Sequence, residues 1–488
     1  MELLQRSEIY TQKLPIKIIQ FGDGNFLRGF ADYIVDKLNT EAGFNAGVAV
    51  VKARAGGSLQ QLQDQQGLFT LFTKGTSQGK EIQQKNIISC IQKAINPYED
   101  YDAFLDLAKE EELSVLLSNT TEAGIAFNES DATLIGYPHK SFPAKVAALL
   151  YERFLYFGGD SRKGLTILPL ELITDNADQL KELVLRYAAL WSLGHQFHEW
   201  VNNHNFFHNT LVDRIVPGYP KDEAATLQQE AGYEDRLMVV SEVFLFWAIE
   251  ADETLLERIP FNTIDANIII VKDIAPYRLR KVRILNGAHT LMVPVSLLYG
   301  NETVRESIDN NFVGKFIRDA VYQEINPTIN LPEENLNSFS EDVFDRFKNP
   351  FIHHQLSSIA LNSLSKFRVR ILPTILDYQK KYNTLPLRLI FGFACLIRFY
   401  KGEWKGRVLP VNDEPIVIEL FAKAFSLNTI ADTVRDILGN EALWGSNLLN
   451  VERLENTITV ALQCLDNDNL EKSFTSYWAV VNKRKQNI

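Results

Sequence analysis

Residues 281–292 read KVRILNGAHTLM, which sets a lysine, an asparagine and a histidine among Val, Ile, Leu, Ala and Met. An amine drawn out of water needs a partner or a lowered pKa, and a lysine brought toward neutrality serves as a general acid/base. Reduction of a ketone needs such a group to protonate the developing alkoxide, together with N–H donors that hold its charge. Lys281, Asn286 and His289 supply those types. At 100° per residue, Lys281, Val282, Leu285, Asn286 and His289 share an arc of about 140° on a helix. Lys281 lies about 12 Å along the axis from His289, and helical side chains lean toward the N-terminus, so the histidine and the amide lean toward the lysine. Periodicity alone equally allows a lysine that snorkels to solvent beside two satisfied core polar groups.

A second stretch, IKIIQFGDGNFLRGF at 16–30, runs from a strand-like segment through Gly22-Asp23-Gly24 into an amphipathic helix pattern. In a dinucleotide-binding turn the first glycine makes the tight turn and the second lets the backbone approach a pyrophosphate at a helix N-terminus. The third glycine of G-x-G-x-x-G is missing: Leu27 takes its slot and Gly29 follows two later. A turn without a ligand is the plainer reading of the same residues. NAD-binding folds usually place an acid after the second strand, yet no Asp or Glu occurs from 42 to 63, where Lys52 and Arg54 stand instead. That keeps NADP open, because a cation there could meet a 2′-phosphate. Otherwise both are solvent-facing charges.

The elements that must position these groups are legible as a pattern. Apolar runs at Ile16–Phe21, Gly47–Val51, 68–73, 114–118, 165–168 and 266–271 read as strands buried on both faces. Helical stretches such as 30–38 and 101–108 alternate with them, the form of a doubly wound α/β domain. After about residue 275 strands give way to helical periods at 281–299, 304–324, 351–364, 386–400, Pro415–Phe425 and 430–438. The predicted organisation is α/β: an N-terminal Rossmann-type domain over 1–274, then a mostly helical substrate and catalytic domain over 275–488.

The totals set bounds. With 488 residues, 46% hydrophobic and 23% charged, the chain can bury large cores and has ordinary globular composition. A net charge of −11 without a basic block opposes nucleic-acid binding. No long uncharged apolar stretch suggests a membrane span, and the N-terminus lacks a secretory signal pattern. Cys90, Cys395 and Cys464 are far apart in apolar surroundings and read as buried thiols of a cytoplasmic protein. Nothing demands assembly beyond a monomer or weak homo-oligomer.

The two stretches together resemble the polyol-specific long-chain dehydrogenase/reductase family, which includes mannitol dehydrogenase. That family pairs G-x-G-x-F-x-R, met by Gly22, Gly24, Phe26 and Arg28, with Lys-x4-Asn-x2-His, met by Lys281, Asn286 and His289. SNTTEAG at 118–124, VDRIVP at 212–217, Ser241-Glu242, WAIE at 247–250, RFKNPFI at 346–352 and SKFRVRILPT at 365–374 also match. FLRGF after the glycine turn differs from the mannitol and mannonate branches and is similar to the branch that reduces D-tagaturonate to D-altronate in galacturonate breakdown. The resemblance implies NADH-linked, metal-independent chemistry, with Lys281 as proton donor, Asn286 on the carbonyl oxygen and His289 orienting. It implies cofactor contacts from Gly22, Gly24, Asn25, Phe26, Arg28, Asn119 and Thr120. Substrate contacts would come from Asp213 and from a cation facing the carboxylate: Lys366 first, with Arg368, Arg370 and Arg28 as further candidates. Where the mannitol enzymes hold a second oxyanion asparagine this chain has Leu172, which leaves Asn286 alone or aided by Asn176 or Asn119. Fructuronate reduction, polyol oxidation, or a non-catalytic nucleotide or sugar-acid binder are the alternatives.

Of the remaining constellations, the histidines of LGHQFHEWVNNHNFFH could hold zinc if His204 and His208 shared a helix face. His353-His354 and Glu110–112 read as surface features.

Overall fold

Four of the continuous apolar runs enter a six-stranded sheet whose two faces are both covered. The computed structural model describes residues 1–6, 13–121, 123–135 and 138–485. Its strands are β1 (Ile16–Phe21), β2 (Gly47–Val51), β3 (Ile91–Ile95), β4 (Val115–Ser118), β5 (Thr166–Pro169) and β6 (Phe206–Phe207). They lie in the order β3-β2-β1-β4-β5-β6, every pair parallel. This is the doubly wound order, which reverses direction beside β1. Side chains alternate between two cores: Ile18, Val48, Val50, Val115 and Leu117 face one, and Ile19, Phe21, Ala49, Val51, Leu116 and Ile167 face the other.

Two expected strands belong elsewhere. The run at 68–73 is the start of Phe69–Ser77, which pairs with Val239–Ser241 and Lys80–Ile88 in a separate three-stranded sheet. The run at 266–271 narrows to Ile268–Val271, parallel to Phe246–Glu250, which in turn is antiparallel to Thr210–Asp213. The central sheet takes its third strand from IQKAI instead. That strand is an edge, only partly buried, and so tolerates the Gln and Lys that hide it from an apolar search.

The chain divides into two compact units, one of Met1–Gly75 with Glu81–Ile274 and a second of Thr76–Lys80 with Ala275–Ile488. Beyond Thr76–Lys80, where the strand Phe69–Ser77 turns into Lys80–Ile88, the second is mostly helical and carries a short hairpin, Glu403–Trp404 with Arg407–Val408. Its first helical run begins earlier than the period suggests, at Ala275–Arg280, and continues through a π-helical segment, Lys281–Asn286, into Gly287–Tyr299. The stretch 304–324 is broken at Asn310, whose carboxamide oxygen accepts from the amides of Phe312 and Val313 and restarts the helix. The stretch 351–364 is not one helix. Leu356–Ile359 is a short turn, and Asn362 at φ +53° breaks the chain before Ser363–Arg370. Pro415–Phe425 forms as predicted. Among the described residues no helix is long and apolar enough to cross a membrane.

Candidate active site

The glycine turn is shaped by contacts that leave little choice at one position and much at the next. Gly22 sits at φ +124°, and a Cβ there would lie 2.7 Å from Leu27 Cδ1 and 3.1 Å from the Asn119 carbonyl oxygen. Its amide donates to the Val51 carbonyl at 2.9 Å, which ties the end of β1 to the end of β2. Gly24 is exposed, and a Cβ added there would meet nothing within 4 Å. A bound group could use that space. The helical run that follows is Asn25–Leu27, a π segment Arg28–Asp32, then Tyr33–Glu41.

Most side chains around the turn are already committed within this unit. The Arg28 guanidinium donates to the Leu237 carbonyl and to Asn25 Oδ1 at 2.7 Å, and lies 5.5 Å from the Phe69 ring. Burial lowers its pKa, opposed by Asp32. Arg28 therefore braces the turn, which argues against it as the cation for a substrate carboxylate. Phe26 stacks on Phe30 at 5.0 Å. Asn119 donates through its amide to the Leu170 carbonyl at 2.7 Å. Thr120 gives both its amide and hydroxyl to Glu171 Oε1, at 2.9 and 3.0 Å, while Ser118 donates to Oε2 at 3.0 Å. Burial raises the Glu171 carboxyl's pKa, and these hydrogen bonds oppose it. Glu171, just after β5 in LPLELITDNAD, is the organising residue that the sequence does not disclose, because its partner Thr120 lies 51 residues away in the chain. Glu122, in the same motif as Thr120, lies outside the described residues.

Asn176 is committed within its own unit. That residue is fully buried: its amide donates to the Pro169 and Glu171 carbonyls at 2.9 and 3.0 Å, and its oxygen accepts from the amides of Ala177 and Thr210. Leu172 is exposed. Asp213 is buried at the last position of its strand. The next residue, Arg214, donates to the carbonyls of Gly29 and Glu242 and locks the glycine-turn helix to the VDRIVP segment. At the end of β2 the two cations diverge. Arg54 is exposed, whereas Lys52 is buried and donates to Asp23 Oδ2 at 3.2 Å. Lys52 is not a solvent-facing charge.

In the second unit the polar trio behaves differently. Across 281–290 the half-buried positions are Lys281, Val282, Asn286 and His289, and the other six are buried. The trio therefore occupies the one partly open stripe, not the enclosed interior that an apolar run suggests. The π segment sharpens this. Its i→i+5 hydrogen bonding brings residues five apart closer to one line than an α-helix does, and Lys281 and Asn286 are five apart. Arg280 and Arg283 are buried and committed: the former donates to Asn335 and lies 4.1 Å over Phe339, the latter bonds Asp377 and Thr328.

The His289 ring lies 4.3 Å from Phe347 and meets the His354 ring edge-to-face at 5.2 Å. His354 is half-buried, and burial lowers its pKa. It is thus part of this cluster and not the surface feature the sequence suggested. Of the SKFRVR cations, Arg368 is exposed, while Lys366 and Arg370, four apart, are half-buried. Lys366 donates to the Ile359 carbonyl at 2.8 Å. Its pKa is lowered by burial and then by the charge of Arg370, with Asp413 opposing. Arg370 Nη1 donates to Thr290 Oγ1 at 3.3 Å, and that hydroxyl donates to the Asn286 carbonyl at 2.8 Å.

His204 ends the helix His195–His204 and His208 lies beyond the following strand, its Nδ1 3.0 Å from the Glu250 carbonyl. The two do not share a helix face. Among the described residues no group of three or more His, Cys, Asp or Glu side chains is gathered as a metal site.

A parallel sheet in this order with a glycine turn at the end of β1, and a helical unit that presents Lys-x4-Asn-x2-His, define an oxidoreductase of the Rossmann type. Residues 16–263 match the mannitol dehydrogenase Rossmann domain and residues 273–466 the mannitol dehydrogenase C-terminal domain. The chain belongs to the mannitol dehydrogenase family. It is 42% identical over 471 residues to altronate oxidoreductase of Bacillus subtilis (strain 168), covering 96% of each protein. It is also 42% identical over 483 residues to altronate oxidoreductase of Yersinia enterocolitica, covering 98% of this chain and 100% of that protein. Among solved structures, D-sorbitol dehydrogenase in substrate-free form matches with a TM-score of 0.81 at 19% identity, over 97% of this chain and 100% of that one. Pseudomonas fluorescens mannitol 2-dehydrogenase, in a ternary complex with NAD and D-mannitol, matches with a TM-score of 0.61 at 20% identity, over 99% and 97%. At these identities the two structures speak for the fold.

Proposed function

We propose that this chain is an NADH-linked reductase of keto-uronates, converting the ketone of D-tagaturonate to D-altronate and back. The observation that carries the reading is the half-open stripe of Lys281 and Asn286 on a π-helical segment and His289 on the helix that continues it. The identity to two altronate oxidoreductases supports the substrate. The residues of the glycine turn fit a dinucleotide: Gly22 holds a conformation other residues resist, and Gly24 leaves open space where a pyrophosphate would approach. Backbone at Gly22 and Gly24, with Asn25, Phe26 and Asn119 around it, would hold that group.

When bound, the reduced nicotinamide supplies a hydride to the carbonyl carbon. Lys281, as the ammonium, gives its proton to the carbonyl oxygen and is reprotonated from solvent. Asn286 donates to the same oxygen as charge builds there, and His289, against Phe347 and His354, orients the substrate or the lysine. The carboxylate of a uronate needs a cation. Lys366 and Arg370 meet the need better than Arg368, because two like charges on one half-buried face are relieved by an anion. Asp213 remains a candidate substrate contact.

NADH oxidation with tagaturonate, fructuronate and fructose side by side, repeated with NADPH, tests the assignment. Turnover with tagaturonate well above the other two is expected. Preference for fructuronate or fructose moves the protein to another branch of the family, and NADH binding without turnover on any of them would leave a binding protein.

A further inference from the structure

The chain carries no acid after β2, where dinucleotide folds usually recognise the adenosine ribose. We infer that Asp23, held by Lys52, supplies that acid from the glycine turn and makes the site selective for NAD(H) over NADP(H). This rests on the nicotinamide reading above.

In the order β3-β2-β1-β4-β5-β6 the ligand crosses the carboxyl ends of the strands, with the ribose side toward β2. Lys52 is the first residue beyond β2. Its amide donates to the Ile95 carbonyl at 3.0 Å, which fixes its backbone to the neighbouring strand. Its side chain is 9% exposed, and its amine donates to Asp23 Oδ2 at 3.2 Å. The turn after β2 closes over this amine: a Cβ on Gly57, at φ +67°, would stand 3.1 Å from Nζ. A cation this buried needs its partner, so Lys52 is spent on Asp23 and is not available to a 2′-phosphate. Asp23 is in the opposite condition. One oxygen is engaged, yet 36% of the side chain stays open. A carboxylate in that state accepts hydrogen bonds from ribose hydroxyls, while a 2′-phosphate beside it meets a like charge. Arg54, on the same turn, is exposed and its charge is screened by solvent. In this assignment Asp23 is the specificity-determining group and Lys52 a positioning residue.

Titration of the full chain with NADH and with NADPH, read by nicotinamide fluorescence, tests the pair without recourse to turnover. Wild type should bind NADH at least about tenfold more tightly than NADPH, the scale of one charge-assisted hydrogen bond. Asp23→Asn should shrink that ratio by about tenfold or more, mainly by weakening NADH. Lys52→Met should shrink it too, and Lys52→Arg should keep it; a purely structural lysine would lower both affinities together and leave the ratio alone. Melting curves identify a variant that fails to fold, and Asp23→Ser then replaces Asp23→Asn. An unchanged ratio in a folded Asp23 variant overturns the inference, as does a Lys52→Met chain that loses NADPH affinity more than NADH. A wild type that binds neither cofactor overturns the nicotinamide reading itself, a distinguishable result.

Discussion

The glycine turn and the Lys-Asn-His helix both enter a π-helical segment at the motif, Arg28–Asp32 in one and Lys281–Asn286 in the other, yet they are built in opposite senses. Around the turn, side chains are consumed by their own unit: Arg28 on Leu237, Thr120 on Glu171, Asn119 on Leu170, Asn176 on three carbonyls. What stays open is main chain and space at Gly24. In the helical unit the arginines beside the trio are consumed, while the lysine, the amide and the imidazole share the part-open stripe. In the function proposed above, the first region binds by backbone and form, and the second acts through side-chain chemistry. Substitutions should therefore separate the two, with binding failing in one and turnover in the other.

The largest effect is expected at Lys281. Lys281→Ala should lower the rate of tagaturonate reduction by roughly 10²- to 10⁴-fold, the range ascribed to a positioned general acid, while fluorescence titration with NADH stays at the wild-type value. Wild-type turnover in that variant would remove the basis for the contrast.

The next effect is on stability, within the turn's own π segment. Asp32 is fully buried, and burial pushes its carboxyl up to about 7, against the opposing pull of a hydrogen bond from Gln20 and the charge of Arg28. Asp32 Oδ1 and Gln20 Oε1 each lack a hydrogen-bond partner among the described residues. Because the folded pKa is raised, the folded state binds more protons than the unfolded chain between about pH 4 and 7. Stability is therefore fully present below that window and declines as pH rises through it. Asp32→Asn should flatten this decline and raise stability at pH 8 by about 2 to 4 kcal/mol. Urea unfolding at pH 4.5 and pH 8 measures it, and an Asn variant that is less stable at pH 8 contradicts the account.

The same contrast explains what the sequence could disclose. Backbone requirements are local, so Gly22, Gly24 and the apolar strands are legible, and the doubly wound order follows from alternation. The trio is legible because its residue types are rare in an apolar helix. Partnerships across sequence are not. Nothing local marks Glu171 as the acceptor for Thr120, or shows that Lys52 turns inward to Asp23. His354 reads as surface beside His353 in a stretch, 351–364, whose expected single helix does not form; only the fold sets it against His289. The run at 68–73 was apolar enough for the central sheet, but apolarity reports burial and not which sheet buries it. The π segment was invisible to a reading at 100° per residue, and it changes which residues line up.

Within the helical unit, the contrast sharpens on two arginines two residues apart. Arg370 reaches Thr290 and the Asn286 turn, whereas Arg368 is exposed. Arg370→Ala should raise KM for tagaturonate by roughly 10- to 100-fold, as expected for a lost hydrogen bond to a charged group, with a much smaller change in kcat. Arg368→Ala should leave both near wild type. Equal effects from the two would mean that the carboxylate is recognised elsewhere.

The smallest expected effect tests the idea that the turn binds through space. At Gly22 a methyl group would meet Leu27 and the Asn119 carbonyl in a backbone conformation L-residues resist, so Gly22→Ala damages fold and binding together and separates nothing. At Gly24 the backbone is extended, φ −72° and ψ 162°, and the methyl group would enter empty space. Gly24→Ala should therefore leave the melting temperature unchanged. If that space belongs to a pyrophosphate, the same methyl group weakens NADH binding several-fold in a protein that is otherwise intact. An alanine variant with both wild-type stability and wild-type NADH affinity would show that the dinucleotide does not approach the backbone here, and the turn would be a structural element without a ligand.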